Sequence, residues 1–140
     1  MSIDRVAPQS VEAEQSVLGS ILIDPEAGLK VADFLRPTDF YRAQHSDIYE
    51  AMLALHNQRE PIDLVTLGDE LTRHERLDGV GGPAYLATLM NAVPTAVHVE
   101  HYGRIVEQKA VLRNLIAAAG RIAAVGYEEA HDTAAAIDRA

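Results

Sequence analysis

From Thr95 to about Gly126 the chain runs some thirty residues without a proline, with its apolar residues spaced as on a helix. A helix of that length rises roughly 45 Å at about 1.5 Å per residue. A compact domain of 140 residues measures only roughly 37 Å across. The helix is therefore expected to overhang whatever globule the rest of the chain builds. Its distal half is apolar on more than one side, through Val111, Leu112, Leu115, Ile116, Ile122 and Val125. Alanines at 117–119 and 123–124 leave room for another helix to approach closely. An apolar surface on an overhanging helix needs a partner to cover it.

The residues before it also read as helices. Ser10 is placed as an N-cap with Glu12 in the first turn, where the helix dipole favours an acid. Val11, Leu18, Ile21 and Leu22 follow on one face, and Asp24-Pro25 ends the element. A short second helix is expected over 26–35, closed by Arg36-Pro37, and the aromatics Phe40 and Tyr41 are expected to plug the core beneath the segment after it. His45, Ile48, Tyr49, Met52, Leu55 and His56 recur at helical spacing, with the two histidines read as core-edge groups. Asp63 caps a helix bearing Leu64, Leu67 and Leu71. Gly81-Gly82-Pro83 turns the chain into a helix carrying Leu86, Leu89 and Met90, which Pro94 cuts off. Thr95 is then read as the cap of the long helix. No segment alternates with period two. The fold class is all-α: an orthogonal multi-helix bundle over residues 1–94, followed over residues 95–140 by a long protruding helix that begins a helical hairpin. His131-Asp132-Thr133 reads as the cap of the hairpin's second helix. That helix has only about eight residues before Ala140, so the chain reads as a piece of a longer protein.

Charge separates the two parts. Residues 1–94 carry 7 basic and 15 acidic side chains, a net −8, whereas residues 95–126 carry +2 and residues 127–140 carry −3. A surface that grips phosphates needs clustered Lys and Arg, so contact with DNA is expected to be indirect. The chain lacks cysteine, which excludes disulfides and thiolate metal sites. No signal-peptide run and no stretch of about 20 apolar residues is present, so a soluble cytoplasmic protein with no membrane role is expected.

Residues placed for catalysis are not found. His98 and His101 lie three apart on one helix, without the i, i+4 spacing and third ligand of a helical zinc pair. The acidic residues are scattered singly, as on solvated helix faces, and no phosphate-binding glycine loop or nucleophile elbow occurs. Gly79-Val80-Gly81-Gly82 lacks the following lysine and the preceding strand, and reads as a turn. The five tyrosines and two phenylalanines are not interleaved with basic residues as a base-stacking platform requires. No catalytic, cofactor or metal residue is assigned.

In order along the chain come Pro8-Gln9-Ser10-Val11-Glu12-Ala13-Glu14-Gln15-Ser16-Val17-Leu18-Gly19, then Asp39-Phe40-Tyr41 with His45, then Pro61-Ile62-Asp63-Leu64-Val65-Thr66-Leu67. Gly81-Gly82, Tyr85-Leu86, Val93-Pro94-Thr95-Ala96, Tyr102, Ile105-Val106, Lys109 and Leu112-Arg113 complete the series. Together these resemble the N-terminal domain of DnaB-type replicative helicases over essentially the whole chain. The resemblance implies a collar domain set before an ATPase domain that this chain lacks, with ATP and Mg bound only in that absent part. It implies homo-oligomeric pairing within a hexamer and docking of the C-terminal domain of primase. By motif, the primase-facing positions correspond to Tyr85, Ile116 and Ile122. Leu112, Leu115, Ala119 and Ile122 are the candidates for contact between subunits.

Two other readings compete. The helicase-binding domain of a primase shares the helical fold, although the ordered motifs favour the helicase side. A small enzyme would require a polar pocket with perturbed carboxylates or histidines.

Overall fold

The computed structural model describes residues 6–128 and 137–139. Its described residues are helical, with no strand among them. Helix α1 (Val11–Ile23) opens on Ser10, whose Oγ accepts the Ala13 N–H at 3.2 Å. Asp24 serves two helices at once: its N–H bonds to Ser20 O, ending α1, and its carboxylate accepts from Ala27 N–H, starting α2 (Pro25–Gly28) with proline in the first turn. The single helix expected over 26–35 is instead α2 followed by a 3₁₀ stretch, Leu29–Asp33. A second 3₁₀ turn, Pro37–Asp39, leads to α3 (Ala43–Asn57).

Asp63 caps α4 (Leu64–Arg73) in a reciprocal box with Thr66, at 2.8 and 2.9 Å. A one-turn helix absent from the sequence reading, α5 (Leu77–Val80), ends at the left-handed Gly81, and α6 (Gly82–Met90) follows directly. Helix α7 (Val99–Tyr127) spans 29 residues, about 43 Å. It starts three residues later than expected. The Thr95 hydroxyl accepts from Val97 N–H in a local turn, and His98 takes the cap position without a side-chain bond.

The core is built by Val17, Leu18 and Ile21 of α1, Ile48, Tyr49 and Met52 of α3, Leu67 and Leu71 of α4, and Leu86 and Leu89 of α6, all buried. The first three turns of α7 close it through Val99, Gly103, Val106 and Ala110. Gly103 is what allows the approach: a Cβ there would stand 2.8 Å from Val31 Cγ1 and 3.1 Å from Phe34 Cζ. Arg104 then lays its guanidinium 3.6 Å over the Phe34 ring. Phe40 enters the core as expected, but Tyr41 does not; it stays 44% exposed. Residues 129–136, including the His131-Asp132-Thr133 cap, lie outside the described residues, so the hairpin's turn is not described. Residues 137–139 are helical, and Arg139 is paired with Glu128 at 2.5 Å.

Candidate interaction surface

The proximal and distal parts of α7 present opposite sides. At about 100° per residue, Val99, Gly103, Val106 and Ala110 form the line that faces the head. Leu112, Leu115, Ile116, Ala119 and Ile122 form a line on nearly the opposite side. Those four large residues are 44%, 61%, 60% and 52% exposed, and Ala119 is exposed beside them. Val111 is also exposed, while Val125 is half-buried. The sequence brings these candidates onto one continuous face. The alanines and Gly120 among them keep its relief low.

The helix leaves the head at Arg113. Its guanidinium donates to Pro8 O at 2.8 Å and to Asp39 O at 2.7 Å, and it lies 5.4 Å from the centre of the Tyr41 ring. Tyr41 is thus the platform for a cation rather than a core plug. No spacing in the sequence announces this clamp, because its two acceptors are backbone carbonyls 105 and 74 positions away.

Tyr85 belongs to a different construction. Gly81, at φ +113°, lies beneath it, and a Cβ on Gly81 would come within 2.7 Å of Tyr85 Cβ. The Tyr85 hydroxyl is 2.5 Å from His45 Nε2 and 3.2 Å from Gln15 Nε2. His45 Nδ1 is 2.8 Å from Glu14 Oε1, and Glu14 also accepts the backbone amides of Tyr41 at 2.7 Å and Arg42 at 3.3 Å. His45 is therefore a fully buried group, not the core-edge histidine expected, and His56 is exposed. Glu14, read as one of the scattered solvated acids, is 1% exposed. Its burial is tolerated because an acceptor at the start of α3 meets free amides and the positive end of the helix dipole.

The second buried acid, Glu70, is held by Arg73 and His74 on its own helix. Tyr49 donates to Leu35 O at 2.8 Å, and burial, aided by the Asp39 charge, pushes its phenol pKa well above the ordinary value. His98 and His101 are exposed, and the described residues hold no group of three or more His, Asp or Glu able to bind a metal ion. No described helix is long and apolar enough to cross a membrane.

The family model described as the DnaB-like helicase N terminal domain matches residues 6–108. The replicative DNA helicase DnaB of Geobacillus stearothermophilus is 48% identical over 137 residues, which cover 98% of this chain and 30% of that protein. The chain thus spans under a third of that relative's length. The crystal structure of the N-terminal domain of DnaB helicase from Mycobacterium tuberculosis superposes with a TM-score of 0.91 at 44% identity, covering 96% of this chain and 94% of that one. A structure of a DnaB-like replicative helicase and its interactions with primase gives a TM-score of 0.72 at 27% identity, covering 92% of this chain and 31% of that one.

Proposed function

The chain belongs to the family of DnaB-like helicase N-terminal domains, and from that premise we propose that it forms the collar of a hexameric replicative helicase, pairing subunits and docking primase. The observation that carries the reading is the apolar face of distal α7. Leucines and isoleucines 44–61% exposed on one stripe, at and beyond the last anchor to the head, are a surface built for cover. Leu112, Leu115, Ala119 and Ile122 are assigned to the neighbouring subunit, in the hairpin that residues 95–140 begin. Tyr85, Ile116 and Ile122 are assigned to the C-terminal domain of primase, following the partner of the solved DnaB-like helicase. The primase-side reading yields to the family match.

Helicase activity, with its ATP and Mg, is assigned to an ATPase domain of the full-length protein. Contact with DNA is assigned to the assembled ring, because the net −8 over residues 1–94 repels a duplex. Sedimentation equilibrium at rising concentration, paired with titration of the primase C-terminal domain, tests the proposal. Self-association and binding that both weaken on Ile122→Asp are the expected result. A strict monomer that also fails to bind primase overturns it.

A further inference from the structure

Tyr85 is held more firmly than packing alone requires. Its ring lies nearly parallel to the His45 ring, 13° off and 5.9 Å away. A phenylalanine would satisfy that stacking, so the hydroxyl needs its own explanation.

The hydrogens along the chain of contacts follow from donor and acceptor inventory. An ionised carboxylate only accepts, so the His45 Nδ1 that faces Glu14 at 2.8 Å carries a hydrogen. In the neutral ring Nε2 is then bare and accepts from the Tyr85 O–H, while the Tyr85 oxygen accepts from the Gln15 amide. The phenolic proton is used inward, and the oxygen of the half-buried Tyr85 keeps only a lone pair for any further contact. The opposite tautomer would reverse this order: Nε2–H would donate to the Tyr85 oxygen, and the phenolic O–H would turn away from the ring.

We propose that His45, braced by Glu14, is the positioning residue of Tyr85 and sets whether its hydroxyl presents an acceptor or a donor to a docking protein. The consequence for docking rests on the primase reading above. A head of net −8 favours a cationic partner, whose N–H groups match the acceptor form. Affinity therefore falls when the His45–Tyr85 contact is lost.

Several other charges near α3 are engaged elsewhere. On α3 itself Asp47 and Glu50 face Arg76, beside α5. Glu70 of α4 holds Arg73 and His74, Asp39 of the 3₁₀ turn accepts from Arg36 N–H, and Arg113 of α7 is bound to two carbonyls. Among the described side chains, the titratable groups bonded to the ring are Glu14 from α1 and Tyr85 from α6.

The test is ¹⁵N NMR of the histidine rings in the 140-residue chain in a neutral buffer. Affinity for the primase C-terminal domain is measured in the same buffer, for the wild type, Tyr85→Phe and His45→Gln. The expected spectrum shows His45 as the Nδ1–H tautomer. Tyr85→Phe and His45→Gln are each expected to bind about tenfold more weakly, the worth of one hydrogen bond. An Nε2–H tautomer in the unmodified chain, or full affinity in Tyr85→Phe, overturns the inference. If primase does not bind the unmodified chain, the docking reading fails, and the tautomer alone decides the His45–Tyr85 assignment.

Discussion

Leu18 and Leu115 are the same side chain in two situations, one fully enclosed by its own head and the other 61% exposed on α7. The head finishes its interior with its own helices, down to the first three turns of α7. The rest of that helix carries equally apolar residues with nothing from the head to meet them. What separates the core from the exposed stripe here is therefore coverage, not composition. The boundary falls at Arg113, where the last side chain of α7 is bound to the head.

The contrast is easiest to break in the core. Leu18→Ala is expected to lower the unfolding free energy by about 3 kcal/mol through lost burial and a residual cavity, as read by urea denaturation. At the boundary, Arg113→Ala removes two charge-assisted hydrogen bonds and its place over Tyr41, and is expected to cost about 2 kcal/mol. Protection of the Pro8 segment from proteolysis should fall with it. Tyr49 sharpens the core side by pH. Its raised phenol pKa means that the neutral form is favoured on folding, so this stability is complete below about pH 10, the unfolded value, and is lost above it. Tyr49→Phe should cost about 1 kcal/mol at neutral pH and flatten the alkaline decline in melting temperature. Smallest in stability is Leu115→Ser on the exposed stripe, expected to stay within about 0.5 kcal/mol while weakening self-association. A loss near that of Leu18→Ala would place Leu115 in an interior after all.

Features set by near neighbours in the chain were legible in the residues. The Ser10 and Asp63 caps, the break at Asp24-Pro25 and the exposed stripe on α7 all follow from local spacing or helical period. Those set by distant partners were not. His45 suits a core edge or a core centre equally well until Glu14, 31 positions away, is brought against it. Tyr41 looks like any aromatic seeking an interior until Arg113 is laid over it. Thr95 is a plausible cap, yet its hydroxyl is taken by a turn of its own, and the helix waits until Val99. Of the candidate site, the stripe was readable and the wiring behind Tyr85 was not, because an acid, a histidine and a tyrosine on three helices share no period.

The passage of α7 from head to free end has a mechanical consequence. Between Gly103 and Gly120 the helix contains neither glycine nor proline, and a helix without such breaks bends little. It therefore acts as a lever with its fulcrum at Arg113. Torque applied between Arg113 and Gly120 reaches Pro8 and the start of α1 with no glycine or proline in its path.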